Sequence, residues 1–358
     1  MSLLMTEPSI KVTNIARKVY DKHFEIDPKL DLEYDDHRKK LMYDDILINI
    51  GYLDTAMEFD DPKIFGDYAI WIYQLLCFIM KDLNRDRIKE QMITHYQILN
   101  DALASVLDEK GARKADEFIK YAIELTKREA ISLSSTSKFE LSDYIDVNKK
   151  YLDYLLKNDT NGAYKFIESL FKIGYTLEEI YIDILQEVMN EVGEMWHKQI
   201  ITVDKEHYCT STTQVILSQF YPLIFSSAKK NAKVLTCTVG SELHEMGARM
   251  ISDLFEFHGW DSIYLGAAVP NEFVIKAIEE NQPDLIALSV TMPQHLVICH
   301  ELVKLIKEKN IIAKIAVGGR GFHSTDSLWE KWGVDISTDN ALQLVKWAEA
   351  NILEKMEN

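Results

Sequence analysis

Short β-rich runs alternate with amphipathic helical segments in the last third of the chain, and this alternation constrains the fold more than any other feature. The runs are AKVLTCTV (232–239), DSIYLGAAV (261–269), DLIALSV (284–290), AKIAVGG (313–319) and VDIST (334–338). Strands that alternate with helices are typical of an open parallel sheet with helices on both faces. The pattern therefore predicts a doubly wound, Rossmann-like domain over residues 231–358.

The front of the chain has a different period. Apolar residues recur at helical spacing, as in Ile46, Ile50, Leu53 and Met57, and no alternating strand pattern interrupts them. The serine-rich ISLSSTSKFE (131–140) has the composition of a linker. We therefore predict a separate helical domain over residues 1–140.

A second helical block follows the linker. Four amphipathic segments with short turns occupy about residues 142–230, and Thr176 with Glu179 has the spacing of a capping box at the third start. Helices joined by short loops most simply form an antiparallel bundle. This block predicts a four-helix bundle over residues 141–230.

Charge and cysteine usage narrow the function classes. The chain of 358 residues has 57 acidic against 40 basic side chains and a net charge of −17, which disfavours binding to phosphate backbones. Cys77, Cys209, Cys237 and Cys299 share no CxxC spacing, as expected for reduced thiols in a cytoplasmic protein. The longest apolar runs are too short to span a bilayer, and MSLLMTEPSI lacks the pattern of a secretion signal. We expect a cytoplasmic protein that binds neither nucleic acid nor membrane.

Candidate ligand-binding residues follow three of the predicted strands. Ligands of doubly wound sheets bind at the carboxyl ends of the strands, near the point where the strand order reverses. The first strand is followed by Glu242-Leu243-His244-Glu245-Met246-Gly247, the third ends in Ser289-Val290-Thr291, and the fourth in Gly318-Gly319. These residues resemble the DxHxxG, SxL and GG motifs of cobalamin-binding proteins, with Glu242 in place of aspartate and Thr291 in place of leucine.

The resemblance implies a role for each of these residues. His244 would be the lower axial ligand of cobalt after the cofactor's own benzimidazole is displaced. Gly247, Gly318 and Gly319 would let the displaced nucleotide tail approach the backbone. Ser289 would line the same slot, and Glu242 with Ser289 would orient the imidazole. Thr291, in the position of the motif's leucine, would also belong to the cofactor site.

The predicted bundle carries a second resemblance. Trp196 is followed after nine residues by Glu206-His207, which is similar to the cap of the adenosylcobalamin-dependent photoreceptors (the CarH/LitR group). That resemblance implies that Trp196, Glu206 and His207 enclose an adenosyl group, and that His197 binds cobalt after light removes it. Taken singly, a tryptophan on an amphipathic helix is more often core, and a Glu-His pair more often solvated surface.

Residues 1–140 lack the basic DNA-binding domain of those photoreceptors. Their helical, aromatic-rich pattern resembles the region ahead of cobalamin domains in proteins that do not bind DNA, and also the photocobilins, which add a bilin-binding helical domain. The second resemblance implies that His23, His37 and His95 contact a bilin. A packed aromatic core is the alternative.

Two functions compete on these observations. The first is a non-enzymatic light sensor that binds adenosylcobalamin, forms a homo-oligomer and signals to an unidentified protein partner, with or without a bilin. The second is a corrinoid methyl carrier for a methyltransferase system, which shares the cobalamin motifs and the bundle but has no need of the adenosyl cap. The resemblances favour the light sensor over the carrier.

Overall fold

The structure, a computed structural model, describes residues 10–129 and 139–353. These residues form two compact units. One, the helical unit, comprises the described part of residues 1–131 with Val290–Glu301 and Arg320–Trp332; the other, the sheet unit, comprises Ser132–Ser289, Leu302–Gly319 and Gly333–Asn358 as far as they are described. The predicted linker lies mainly outside the described residues, and the three predicted domain boundaries stay predictions.

The front of the chain is helical, as predicted. Aspartate and asparagine side chains cap several of its helices: Asp61 accepts from the backbone of Lys63, and Asn84 from that of Arg87. The helices are α1 (Ile10–Ile26), α2 (Leu30–Glu33), α3 (Asp36–Phe59), α4 (Pro62–Ile79), α5 (Arg85–Ala104) and α6 (Glu109–Arg128).

The bundle is present as four packed helical segments. The predicted capping box forms at the start of the third segment: Glu179 N donates to Thr176 Oγ1 (3.2 Å) and Thr176 N donates to Glu179 Oε2 (2.8 Å). The segments are α7 (Ile145–Leu156), α8 (Thr160–Lys172), π-helical turns over Glu179–Gln186 that continue into α9 (Glu187–His197), and α10 (Val203–Ser218). A short α11 (Tyr221–Ile224) leads to the sheet.

The five described strands form one parallel sheet, which confirms the predicted doubly wound fold. Their order is β2-β1-β3-β4-β5. Successive strands are therefore added first on one side of β1 and then on the other, and the strand order reverses between β1 and β3. The strands are β1 (Lys233–Thr238), β2 (Asp261–Gly266), β3 (Leu285–Ser289), β4 (Lys314–Gly318) and β5 (Ile336–Ser337). The connecting helices are α12 (Met246–Phe257), α13 (Asn271–Asn281), α14 (Leu296–Glu308), α15 (Leu328–Lys331) and α16 (Ala341–Ala348).

The bundle and one face of the sheet share a hydrophobic core. Fully buried side chains of the bundle, such as Tyr181 and Ile184, belong to the same cluster as Leu254 of α12 and Val234 of β1. The apolar faces of the bundle helices are therefore buried partly against the sheet and its helices. This shared burial of apolar surface holds the bundle and the sheet together within the sheet unit.

Candidate functional site

The loop between β1 and α12 presents His244 to solvent. The His244 side chain is exposed, whereas the Glu242 side chain two residues earlier is only 1% exposed. Glu245 N donates to Leu243 O (2.8 Å), which closes a tight turn around the histidine. Since β1 borders the point where the strand order reverses, this imidazole lies at the edge of the sheet where such folds bind ligands.

The end of this loop is fixed from β2. The Tyr264 hydroxyl lies 3.2 Å from both the carbonyl and the Oε2 atom of Glu245. The Arg249 guanidinium lies 5.2 Å from the centre of the Tyr264 ring and also donates to the Tyr221 hydroxyl (3.1 Å). The residue that follows His244 is thus held by hydrogen bonds, which limits the conformations open to the loop.

A narrow slot opens between the sheet and the helices α12 and α16. Its volume is about 20 Å³, and it is lined by Thr236, Ile251, Ala287, Leu288, Ser289, Ala316, Val317, Gly318, Thr338 and Leu344. The structure thus brings together Ser289 and Gly318, which the sequence assigned to the nucleotide tail. Thr236 was missed. The available signal was a polar residue within an apolar run, at a position that strand alternation places on a buried face of the sheet.

The predicted glycines have different surroundings. A Cβ built on Gly318 would lie 2.4 Å from the carbonyl oxygen of Thr338, so the adjacent backbone excludes a side chain there even without a ligand. A Cβ on Gly247 would meet nothing within 4 Å, so the space beside it is open. Gly319 has a φ of +97°, a conformation that favours glycine. Thr291 is half-buried and belongs to the helical unit.

The bundle residues predicted to form a cap lie near the end of α9 and the start of α10. Trp196 is half-buried and His197 is 7% exposed. Glu206 accepts a hydrogen bond from Thr210 Oγ1 (2.8 Å), and its other oxygen lies 2.6 Å from Nδ1 of the exposed His207. Both oxygens of Glu206 thus have partners on its own helix.

The turn after Trp196 is built without glycine. Gln199 adopts a φ of +53°, which is uncommon for a residue with a side chain. Its backbone N (2.9 Å) and its Nε2 (3.0 Å) both donate to the carbonyl oxygen of Trp196. These two hydrogen bonds stabilise the strained turn that follows α9.

Asp253 links α12 to the bundle. Its Oδ2 accepts a hydrogen bond from the Tyr181 hydroxyl (3.2 Å) in the core that the bundle and the sheet share. Burial raises the pKa of the Asp253 carboxyl to about 6, although the Tyr181 hydroxyl and the Arg249 charge act in the opposite direction. The sequence offered no signal for this contact, because it joins residues 72 positions apart.

The front histidines are arranged differently from the prediction. His23 and His95 are both buried, with His23 Nε2 3.0 Å from His95 Nδ1, and their rings are stacked. Burial lowers the pKa of His23 to about 4 and that of His95 to about 3, so both rings are neutral at pH 7. His37 is exposed. Two of the three predicted bilin contacts are therefore each other's partners within a packed core, and the third lies at the surface.

The described residues carry neither a ready-made cluster of metal ligands nor a membrane-spanning helix. Within 10–129 and 139–353, no group of three or more His, Cys, Asp or Glu side chains is arranged to hold a metal ion. In the same part of the chain, no helix is long and apolar enough to cross a membrane.

Comparison with known proteins places the slot and the exposed histidine in a known context. Residues 232–345 match the family model of the B12 binding domain. Residues 147–220, which cover most of the bundle, match a second model with the same description. These matches support corrinoid binding by the sheet unit. They do not include residues 1–146.

Relatives of this chain include several corrinoid proteins. Dimethylamine corrinoid protein 3 of Methanosarcina acetivorans is 25% identical over 178 residues, which are 49% of this chain and 83% of the relative. Its namesake in Methanosarcina mazei is 27% identical over 124 residues, 35% of this chain and 74% of the relative. The solved structure of the Methanosarcina barkeri monomethylamine corrinoid protein covers 57% of this chain and 98% of its own, with a TM-score of 0.51 and 18% identity, and shows the shared fold.

These comparisons overturn the preference for a light sensor. The relatives are corrinoid proteins named for methylamines, in agreement with the alternative of a methyl carrier. The prediction of a light sensor was wrong. It depended on Trp196 and Glu206-His207, which lie within residues 147–220, and that region matches a model described only as a B12 binding domain. The role of His197 as a cobalt ligand after illumination depended on that interpretation, and the expected signalling to a partner falls with it.

Proposed function

We propose that this protein is a corrinoid carrier that serves a separate methyltransferase. The observation that carries the proposal is the exposed His244 imidazole on the loop after β1, at the strand-order reversal and within the region that matches the B12 binding domain. The methylamine corrinoid proteins among the relatives supply the functional class. When bound, the corrinoid supplies a cobalt centre that can accept and release a methyl group.

The residues of the sheet unit fit such a cofactor. The exposed His244 can offer a ring nitrogen as the lower ligand, and buried Glu242 stands two residues before it. The slot lined by Ser289 and Gly318 lies along the sheet, where it would receive the nucleotide tail. The open space beside Gly247 leaves room for the tail to approach. A fully buried hydroxyl in the slot, on Thr236, adds a polar atom that lacks a partner among the described residues.

The two remaining motif residues follow these strands in sequence. Thr291 comes two residues after Ser289, and Gly319 directly follows Gly318. We propose that both contribute to the approach of the nucleotide tail, Gly319 through the backbone conformation that its positive φ allows.

The bundle would cover the other face of the corrinoid. Trp196 offers a flat apolar surface, and Glu206 with His207 offers polar groups at the start of α10. A carrier must expose its methyl group to a second protein, so we propose that these residues shield the cobalt between encounters. The carrier function requires only a methyl group on that face, and we propose neither an adenosyl ligand nor a bilin for this chain.

Reconstitution with cobalamin tests the proposal. We expect the wild-type protein to bind cobalamin with the absorption spectrum of a histidine-ligated, base-displaced cofactor, and His244→Ala to bind it more weakly or with the spectrum of free cofactor. His37→Ala, an exposed histidine of the helical unit, serves as the matched control and should behave as wild type. A histidine-ligated spectrum that persists in His244→Ala would remove the assignment.

A second measurement separates a carrier from other corrinoid proteins. The reduced, cobalamin-loaded protein is mixed with candidate methyltransferases and with mono-, di- or trimethylamine, and its spectrum is followed for methylation. Methylation that depends on one enzyme and one amine supports the carrier function. Failure with every methyltransferase of the source organism, in protein that binds cobalamin normally, would contradict it.

A further inference from the structure

Small residues from two adjacent rows of the sheet contribute to the floor of the slot. Parallel pairing aligns Thr236 of β1 with Ala287 of β3 and Ala316 of β4, and two residues further along it aligns Thr238, Ser289 and Gly318. Because side chains alternate along a strand, both rows face the same side of the sheet. Ile251 of α12 and Leu344 of α16 contribute the opposite wall. The two rows therefore form a flat surface under two apolar side chains.

The Thr236 hydroxyl lies in this slot without a hydrogen bond to the protein. Thr236 is 0% exposed, and its Oγ1 has no partner among the described residues. The hydroxyl of Thr338, which also lines the slot, is by contrast paired at the start of α16: it accepts from Asn340 N (3.1 Å) and donates to Gln343 Oε1 (3.2 Å). Buried hydroxyls are almost always paired, so the unpaired hydroxyls of Thr236 and of Thr238 in the next row call for a physical explanation. Of these two residues, Thr236 is the one that lines the slot.

We propose that Thr236 is a positioning residue that hydrogen-bonds the displaced nucleotide base of the corrinoid. This inference rests on the proposed function, and it assigns a role to a residue outside the three sequence motifs. Its row, Thr236–Ala287–Ala316, lies farther from the carboxyl edge of the sheet than the Ser289 row, so Thr236 defines the inner end of the slot. A flat aromatic base fits between the small-residue floor and Ile251 and Leu344, and the hydroxyl then gains a partner.

The slot must widen for this to happen. A volume of about 20 Å³ is close to the space of a single water molecule, well below that of a nucleotide base. The wall residues Ile251 and Leu344 belong to α12 and α16, so separation of these helices from the floor opens the slot without breaking the strand pairing. The unpaired hydroxyl disfavours the closed form, because a buried polar group without a partner is destabilising.

Replacement of the hydroxyl by a methyl group tests the assignment. Thr236→Val keeps the shape of the side chain, whereas Thr236→Ser keeps the hydroxyl. Both are titrated with cobalamin and with cobinamide, a corrinoid that lacks the nucleotide tail. We expect Thr236→Val to bind cobalamin about tenfold more weakly than wild type, the effect of one lost hydrogen bond, and cobinamide equally well. Thr236→Ser should stay close to wild type for both corrinoids.

Thermal unfolding without corrinoid gives an independent readout. Thr236→Val removes an unpaired buried hydroxyl, so its melting temperature should rise by about 2–4 °C while its cobalamin affinity falls. The control is Thr126→Val, since Thr126 is equally buried but its hydroxyl donates to Ala122 O (2.8 Å). That variant should gain no stability and should bind cobalamin like wild type.

Three results would overturn the proposal while leaving the carrier function intact. They are an unchanged cobalamin affinity in Thr236→Val, an equal loss for cobalamin and cobinamide, and a Thr236→Ser protein as weak as Thr236→Val. If the wild-type protein binds neither corrinoid, the proposed function itself fails, and that outcome is distinct from the other three.

Discussion

Gly247 and Gly318 differ in the free space around them, and this difference decides what a substitution at each position would test. Both belong to the motifs that resemble cobalamin-binding proteins. The backbone of Thr338 already excludes a side chain at Gly318, whereas the space beside Gly247 on α12 is open. A loss of corrinoid binding after substitution of Gly318 would therefore reflect the fold as much as the ligand, and Gly247 is the more informative position.

We predict opposite effects on stability for alanine at these two glycines. Gly247→Ala should keep the fold or stabilise it by up to about 1 kcal/mol, because alanine favours a helix, but should weaken cobalamin binding if the cofactor occupies the open space. Gly318→Ala should destabilise the protein by about 1–3 kcal/mol through the forced contact with Thr338. Urea unfolding and cobalamin titration of both variants check this. A Gly247→Ala protein with unchanged affinity would place the cofactor elsewhere.

At the scale of elements, local signals were sufficient for the start of a helix but not for the contact between helices. The Thr176–Glu179 capping box was readable from four consecutive residues, and both of its hydrogen bonds are present. The packing of α12 against the bundle was not readable. It buries the Asp253 carboxylate beside Tyr181, and burial raises its pKa from the ordinary value of 3.8 to about 6.

This shift makes the stability of the sheet unit depend on pH. The pKa is higher in the folded protein than in the unfolded chain, so the folded state binds more protons between about pH 4 and 6. The Asp253 contribution therefore becomes unfavourable as pH rises through this window and stays so above it. A neutral side chain of the same shape avoids that cost.

We predict that Asp253→Asn increases the free energy of unfolding by about 1–3 kcal/mol at pH 8 and changes it little at pH 4. The asparagine oxygen can still accept the hydrogen bond from Tyr181. Urea unfolding of wild type and variant at both pH values gives the difference in their free energies of unfolding. The titration of other groups cancels in this difference. An equal gain at pH 4 and pH 8 would show that the effect is not due to ionisation.

At the scale of the whole molecule, residues far apart in the sequence combine in one compact unit. In the helical unit, Asp61 at the start of α4 accepts from Asp326 N (2.9 Å), and Lys63 Nζ donates to His323 O (3.0 Å). Phe59 and Trp332 lie in ring contact, with centroids 5.4 Å apart. The segment that follows β4 is therefore fixed by helices from the front of the chain.

We predict that Asp61→Asn speeds hydrogen exchange in residues 320–332. The buried carboxylate caps α4 with one oxygen and holds Asp326 N with the other, and an amide offers only one acceptor. Asp60→Asn is the control, because Asp60 is exposed and pairs with Lys114 instead. Hydrogen exchange followed by mass spectrometry compares the two variants. Equal exchange of this segment in both would mean that Asp61 does not hold it.

The sequence by itself determined the secondary structure, the parallel sheet and the loop that carries His244. These depend on local periodicity, on turn residues and on the rule that open sheets bind ligands at their carboxyl edge. It also supplied Gly247, Ser289 and Gly318, whose spacing resembles a known motif. It did not distinguish a carrier from a light sensor, because the sequence does not show which upper cobalt ligand Trp196 and Glu206-His207 would enclose.

Only the tertiary structure decided which side chains become neighbours. Strand register aligned Thr236 with Ala287 and left its hydroxyl without a partner among the described residues, and helix packing paired His23 with His95 across 72 positions. Neither arrangement has a local signal, since register and packing are set by contacts between distant segments. The buried His23 and the exposed His244 are the same letter in the sequence, and burial, which the fold alone fixes, separates them.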